Sequence, residues 1–142
     1  NHIDHFIAPS KFLLKTFIQD FSVPKEKISY LDYGFNRDRL KNRKRVVEPE
    51  FVFGYIGTHT PEKGIDLLLK AFSKLPIKTK LRIWGAQNQE TKALKSIADQ
   101  FSPEIKNQIE WMGSYRNENI VEDVFNKVDA IVVPSIWGEN SP

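Results

Sequence analysis

Three glycines at a regular interval place the strongest constraint on how this chain can fold. Gly57, Gly85 and Gly113 follow one another at steps of 28 residues, from 57 to 85 and from 85 to 113. Each ends a short run of aliphatic and aromatic residues, and a fourth run comes later. The runs are Phe51–Gly57, Lys80–Gly85, Ile109–Gly113 and Asp129–Ser135. Such runs are typical of strands covered on both faces of a parallel sheet, and one strand with its helix takes about this length.

The segments between the runs have the apolar spacing of helices. One face repeats at helical intervals from Ile65 to Leu75 and is ended by Pro76. Two further faces have the same spacing: Leu94, Ile97, Ala98 and Phe101, and then Ile120, Val121, Val124, Phe125 and Val128. Strand and helix therefore alternate from residue 51 to residue 135. This alternation predicts an α/β fold with a right-handed, doubly wound parallel sheet.

The first fifty residues follow a different pattern. The run His5–Pro9 resembles a strand end, and Ser10 is a good N-cap for a helix that follows it. Residues 28–34 form another extended run. We expect this initial unit to belong to a different sheet from the four later strands.

A basic segment separates the two parts of the chain. Six of the residues from Arg37 to Arg45 are basic and only Asp38 is acidic, and Pro49 ends the segment. It could contact phosphates of a nucleic acid or an anionic lipid, but it lacks interleaved aromatic residues. A solvated linker is the better interpretation. We therefore predict three parts: 1–36, a linker at 37–50, and a domain at 51–142.

Composition excludes several classes of function. The chain has no cysteine, so disulfides, thiolate chemistry and cysteine-ligated zinc are excluded, and cysteine usage fits the cytoplasm. No apolar run approaches the ~18–20 residues of a membrane span. The net charge of +3 suits anionic small molecules or lipid headgroups and is too small to indicate nucleic acid. The 142 residues do not begin with Met, so we expect a segment of a longer protein.

The turn after the first strong strand is the first candidate site. Ligands of parallel sheets bind beyond the carboxyl ends of the strands, and residues 57–64 follow such an end. Gly57 and Gly64 allow a sharp turn. The amide groups of a helix N-terminus attract anions, to which Lys63 adds a positive charge. A diphosphate would suit this place, although from the spacing alone an ordinary turn with a solvated Lys63 is the better interpretation.

Two later segments are further candidates. Glu139 and Asn140 directly follow the fourth strand, where they could hydrogen-bond sugar hydroxyls or form a polar surface turn. Ser114, Tyr115 and Arg116 follow the third strand, where a ring or guanidinium plane could lie against a nucleobase, or simply be exposed. His59 is expected to be a solvated loop residue.

Two of these stretches together resemble a known family. The pattern Gly-x5-Lys-Gly, from Gly57 to Lys63-Gly64, is similar to the phosphate turn of retaining GT-B glycosyltransferases of the group 1 (family 4) type. Residues 134–142 resemble the start of that family's Glu-x7-Glu motif. Residues 6–12 resemble the last βα unit of its N-terminal acceptor domain, and residues 28–34 lie where the family crosses between domains.

The resemblance implies an enzyme with two Rossmann-like domains facing a cleft, the C-terminal one holding a nucleotide diphosphate sugar. Lys63 would stabilise the departing diphosphate and Glu139 would contact the donor sugar. Ser114 and Tyr115 would lie near the base, while Gly57, Thr58, Gly64 and Asn140 would complete the donor site. No cofactor or metal is expected.

The resemblance also implies what this chain lacks. The family often has Arg where Thr58 stands, and the second Glu of its motif would lie beyond residue 142. We therefore expect the chain by itself to be inactive. The parent would be a hexosyltransferase of polysaccharide biosynthesis, cytoplasmic or at the inner membrane face, acting on a glycan or lipid-linked acceptor. A GT-B-shaped sugar-nucleotide epimerase and a non-catalytic nucleotide-binding or assembly module are the alternatives.

Overall fold

A computed structural model describes residues 3–34, 37–41, 43–76 and 78–137. These residues form two compact units. The first comprises the described residues up to 34 together with Trp137, and the second comprises those from Arg37 to Ile136. No helix within the described ranges is long and apolar enough to cross a membrane.

The first unit is a small βαβ arrangement. Strand β1 (Phe6–Ala8) pairs in parallel with β2 (Ile28–Tyr30), and helix α1 (Lys11–Gln19) connects them. The predicted N-cap is confirmed, because the backbone N–H of Leu13 donates to Ser10 Oγ at 3.1 Å. The two strands form their own sheet, as the sequence predicted.

The second unit contains a four-stranded parallel sheet. Its strands are β3 (Phe51–Ile56), β4 (Thr79–Trp84), β5 (Ile109–Gly113) and β6 (Ala130–Ile131), in the spatial order β5-β4-β3-β6. All four predicted strands are present. Strand β6 is shorter than predicted, since pairing ends soon after Val132 N donates to Gly54 O. Pro134 has no N–H to extend the ladder.

Four helices accompany this sheet: α2 (Ile65–Phe72), α3 (Gln89–Ala98), α4 (Pro103–Lys106) and α5 (Ile120–Asp123). The predicted face of α2 is confirmed, with Ile65, Leu68, Leu69 and Phe72 all buried. The third predicted helix is interrupted, because Val124 leaves helical geometry and a 3-10 turn follows at Phe125–Lys127. Its apolar residues are nevertheless buried or half-buried, so burial rather than helix continuity explains the pattern.

Side chains cover the sheet on both faces. One face carries Leu81 and Ile83, which pack with α2 and α3 in the larger core cluster. The other face carries Val52 and Trp84, which pack against Val124 and Val128. From β3, the chain adds β4 and then β5 on one side of the sheet, and β6 is added on the opposite side of β3. This doubly wound order creates a switch point between β3 and β6, where such sheets bind ligands.

The basic segment is attached to the second unit. Arg43 donates from Nε to Phe125 O at 3.0 Å and from Nη2 to Val128 O at 2.8 Å. Arg45 forms an ion pair with the largely buried carboxylate of Asp129. These two side chains therefore attach the predicted linker to the second unit, although both residues remain exposed.

An ion-pair network lies on the face opposite α2 and α3. The Arg82 side chain is only 11% exposed and donates to Glu48 at 2.6 Å and to Glu110 at 2.7 Å. Lys80 also contacts Glu48, at 3.2 Å. The hydrogen bond from Arg82 is the main cause that lowers the pKa of Glu48 below its usual value, partly opposed by burial and reinforced by Lys80.

We predict that Arg82→Met lowers the free energy of unfolding by about 3 kcal/mol, because two partly buried carboxylates lose their shared partner and Glu48 keeps only Lys80 among the described residues. Urea unfolding followed by tryptophan fluorescence measures this change. Lys70→Met is the control, since it removes an exposed ion pair with Asp66 and should cost less than about 0.5 kcal/mol. Equal losses of unfolding free energy in the two variants would contradict the predicted importance of the Arg82 ion pairs.

The same network predicts a pH dependence. A carboxyl group whose pKa is lowered by folding stabilises the protein above its unfolded pKa, and this contribution is lost as the pH falls through the folded pKa. The wild-type protein should therefore lose stability below about pH 4.5, and Arg82→Met should lose less over that range. Parallel acid profiles of the two proteins would contradict the prediction.

Candidate functional site

The carboxyl ends of three neighbouring strands enclose a shallow cavity. Its volume is about 320 Å³, and it is lined by Gly57, Thr58, Gly85, Ala86, Ser114 and Tyr115. The structure therefore brings together four residues predicted for the site, from the ends of β3 and β5. Sequence reasoning missed Gly85 and Ala86 as site residues. The equal glycine spacing was the signal, because it places Gly85 at the same edge as Gly57.

The turn after β3 begins α2 through an additional 3-10 turn. This turn covers Pro61–Lys63, and Gly64 follows with a positive φ of 65° before α2 starts at Ile65. The amide of Lys63 donates to Thr60 O and that of Gly64 donates to Pro61 O, both at 3.1 Å. These two amides are therefore used within the turn, and the donors open to a ligand are those in the first turn of α2 itself.

The turn already stabilises a negative charge. Glu62 lies in it, and the backbone N–H of Glu62 is the main cause that lowers the pKa of its carboxyl group. A hydrogen bond with the Thr60 side chain and the nearby Lys63 ammonium lower it further. The backbone N–H groups of this turn therefore favour a negative charge, which the Glu62 carboxylate itself supplies beside Lys63.

The segment after β6 is bound directly to the same turn. Ile136 N donates to Glu62 O at 3.0 Å, and Ser135 Oγ donates to the same oxygen at 3.2 Å. Gly64 packs against the carbonyl of Pro134, so closely that a β-carbon at this position would overlap the oxygen. The segments that follow β3 and β6 are thus hydrogen-bonded to each other next to Lys63. Glu139 and Asn140 lie outside the described residues.

Three polar contacts support the turn from the protein interior. Tyr55 Oη donates to Thr58 O at 2.8 Å, and Asn88 Nδ2 donates to His59 O at 3.1 Å. His59 Nδ1 lies 2.8 Å from Thr91 Oγ1. The His59 side chain is 1% exposed, so the expectation of a solvated loop residue is wrong. Burial is the main cause that lowers its pKa, with the Lys95 ammonium adding to this and the Trp84 carbonyl opposing it.

The residues after β5 differ in exposure. Ser114 and Arg116 are exposed, whereas Tyr115 is half-buried and packs against the apolar cluster that contains Val52 and Trp84. The Tyr115 ring is therefore held by the core on one side, while the residue still lines the cavity.

No group of three or more side chains with metal-ligating chemistry occurs within the ranges that the structure describes. His5 is hydrogen-bonded to Ser29 Oγ at 2.8 Å, in the first unit.

The sequence matches a known family of proteins. The model of the family "Glycosyl transferases group 1" matches residues 36–142, so the chain belongs to that family. No curated protein sequence matches the chain significantly.

Solved structures with the same fold are glycosyltransferases. A glycosyltransferase from Rickettsia africae aligns with a TM-score of 0.83 at 18% identity, over 96% of this chain and 39% of that one. HepE from Anabaena, in complex with UDP and glucose, has a TM-score of 0.76 at 20% identity, over 93% and 38%. The lipopolysaccharide outer core galactosyltransferase WaaB has a TM-score of 0.76 at 17% identity, over 98% and 38%.

These alignments confirm the predicted α/β fold of the GT-B type. The chain spans less than two-fifths of the length of each of these three relatives. It corresponds to a part of their fold.

We predict that Gly64→Ala destabilises the second unit more than Gly113→Ala. Both glycines have a positive φ, but a β-carbon at Gly113 meets nothing within 4 Å, whereas at Gly64 it meets the Pro134 carbonyl. Gly113→Ala should cost about 1–2 kcal/mol for the left-handed backbone, and Gly64→Ala about 1–3 kcal/mol more for the overlap. Urea unfolding measures both, and equal costs would mean that Pro134 moves away freely.

Proposed function

We propose that the protein carrying this chain transfers a sugar from a nucleotide diphosphate sugar to a glycan or lipid-linked acceptor, with retention of anomeric configuration. The observation that carries the proposal is the pair of hydrogen bonds between the β3–α2 turn and the segment after β6. There the β3–α2 turn, which stabilises negative charge, contacts the segment that leads to Glu139. Family membership supports the transferase class.

The donor is proposed to be a UDP-, GDP- or similar sugar. One structural relative, HepE, has been solved with UDP, with UDP and glucose, and with UDP-glucose. The cavity at the ends of β3, β4 and β5 is of a size that would take part of a nucleotide. Its lining is largely glycine, alanine and hydroxyl-bearing residues, which let a ligand approach the backbone closely.

Each predicted residue has a proposed role. Lys63 stabilises the charge that develops on the leaving diphosphate, and the first turn of α2 assists it through its amide groups. Glu139 and Asn140 bind the donor sugar. Ser114 and Tyr115 lie beside the base, while Gly57, Thr58 and Gly64 shape the diphosphate site.

Thr58 is the main departure from the family pattern. Where relatives often have Arg, this chain has an exposed Thr, whose carbonyl is occupied by the Tyr55 hydroxyl. One phosphate-binding cation is therefore missing, so more of the diphosphate charge falls to Lys63. We propose that donor binding is correspondingly more sensitive to Lys63 here.

The complete enzyme is proposed to need a second domain. Residues 1–36 would close the acceptor domain, 37–50 would connect the domains, and 51–142 would form most of the donor domain. We propose that this chain alone is inactive, and that the whole enzyme is a family 4 hexosyltransferase of polysaccharide biosynthesis. It would need no metal and would act in the cytoplasm or at the inner membrane face.

We predict that Lys63→Ala in the full-length protein lowers sugar transfer at least about tenfold, equivalent to about 1.4 kcal/mol of lost charge stabilisation. The measurement is turnover with radiolabelled UDP- and GDP-sugars and the natural acceptor extract. Lys70→Ala is the matched control, because Lys70 lies in the last turn of α2, the helix that follows Lys63, and pairs with Asp66. Wild-type turnover in Lys63→Ala would count strongly against the proposal.

Product analysis without acceptor tests the alternative activities. A transferase leaves the intact sugar nucleotide unchanged apart from slow hydrolysis, whereas an epimerase converts it to a different one. Calorimetric binding of a nucleotide sugar without any acceptor-dependent turnover would instead indicate a binding module.

A further inference from the structure

One buried side chain beneath the candidate site has no role in the function proposed so far. His59 is almost completely buried, and its Nε2 makes no hydrogen bond of standard geometry, although the Trp84 carbonyl is close enough to the ring to raise its pKa. A buried polar atom without a partner costs free energy. Its presence directly under the β3–α2 turn therefore calls for an explanation.

The other ring nitrogen is held by the start of α3. His59 Nδ1 lies 2.8 Å from Thr91 Oγ1, which is also bonded to Asn88 N at 3.0 Å and to Asn88 Oδ1 at 3.1 Å. Asn88 and Thr91 form the capping box of α3. When the Thr91 hydroxyl donates its hydrogen to Asn88 Oδ1, its oxygen accepts hydrogen bonds from both the Asn88 backbone N–H and His59 Nδ1–H. The one donor and both acceptor positions of the hydroxyl are then used.

The backbone of His59 is held by the same helix. Asn88 Nδ2 donates to His59 O at 3.1 Å. His59 is therefore hydrogen-bonded to the capping box of α3 through both its side chain and its carbonyl. The preceding Thr58 carbonyl accepts from the Tyr55 hydroxyl. Residues 57–59 consequently have little freedom to change their backbone orientation.

The imidazole also fills the space between two strand ends. A β-carbon on Gly85 would lie 2.6 Å from His59 Nε2 and would overlap the carbonyl of Gly57. Gly57 and Gly85 both line the cavity at the sheet edge. The ring therefore lies against Gly85, behind the wall of the cavity.

We propose that His59 is a positioning residue for the donor site. Its hydrogen bond to Thr91 fixes the backbone of residues 57–60 in the shape that receives the diphosphate. This inference rests on the proposed function. An apolar ring of similar size could fill the same space, but only a hydrogen-bonding group can tie the turn to the capping box of α3.

The test compares variants that keep or remove this hydrogen bond in the full-length protein. His59→Phe fills the space without the bond, and Thr91→Val removes the hydroxyl at nearly constant shape. His59→Asn and Thr91→Ser retain a group that can form the bond. Ser96→Ala is the matched control, because it removes another α3 hydroxyl, which bonds only within the helix, to Lys92 O.

The first readout is the affinity for UDP and for uridine, measured by NMR titration. His59→Phe and Thr91→Val should each weaken UDP binding about five- to tenfold, as expected for one lost positioning hydrogen bond. Uridine binding should change less than about twofold, since it lacks the diphosphate. The double variant should be about as weak as the weaker single variant, because both substitutions remove the His59–Thr91 hydrogen bond, and Thr91→Val alone already removes the contacts of that hydroxyl with Asn88. Thr91→Ser and Ser96→Ala should remain near the wild type, whereas His59→Asn keeps the bond but leaves the space of the ring unfilled and should lose less affinity than His59→Phe.

The second readout is amide hydrogen exchange without ligand. His59→Phe should accelerate exchange in residues 57–60 about tenfold and leave α2 unchanged. Unchanged exchange and unchanged UDP affinity in both His59→Phe and Thr91→Val would overturn the inference. Equal losses for UDP and uridine would also overturn it, because they would indicate a general packing defect.

The two proposals can fail separately. If the wild-type protein binds neither UDP nor GDP, the proposed donor function fails, while hydrogen exchange still decides whether His59 orders the turn. If Lys63→Ala loses turnover but His59→Phe and Thr91→Val bind UDP normally, the proposed function stands and the role of His59 is rejected. Thr91→Val keeps the test valid if His59→Phe does not fold.

Discussion

Parallel pairing of β3 on both of its edges is the constraint on which the second unit depends. β3 pairs with β4 over six residues and with β6 on its other side, so its backbone is satisfied only when both neighbours are present. Because all the strands run in the same direction, their carboxyl ends meet at one edge. The cavity, the β3–α2 turn and the segment after β6 lie at that edge as a consequence, without any one residue having to bring them together.

Polar groups serve two different purposes in this unit. On one face of the sheet, Arg82 neutralises the carboxylates of Glu48 and Glu110 and keeps their charges compensated. At the sheet edge, the supporting contacts of Tyr55, Asn88 and His59 are made by uncharged groups. Neutral support adds no charge to the edge, where the turn itself carries the opposite charges of Lys63 and Glu62.

Much of the fold could be predicted because its signals are local. Equal glycine spacing and the apolar face of α2 both report on residues near in sequence, and Ser10 caps α1 through a residue three positions away. The break in the third predicted helix could not be predicted, since Val124 is buried whether or not the helix continues. The position of Arg43 was missed for a related reason, because its partners Phe125 and Val128 are more than eighty residues away.

For the site, the sequence indicated the turn but not its support. Gly57, Lys63 and Gly64 stand out as a motif, whereas Thr91 is an ordinary helical residue until the structure places it against His59. A histidine between two threonines in a turn has the composition of an exposed loop. Its burial depends on the space that Gly85 leaves 26 residues later, which no local pattern reports.

The shared acceptor at Glu62 has a consequence for how this region can change. Ile136 N–H and the Ser135 hydroxyl meet at a single carbonyl oxygen, so the number of residues between the end of β6 and this point is determined by geometry. Surface connections usually accept insertions and deletions readily. This one should instead keep its length through divergence, even where the identities of Val132 and Val133 drift, because adding a single residue would displace the downstream chain by one peptide from the turn.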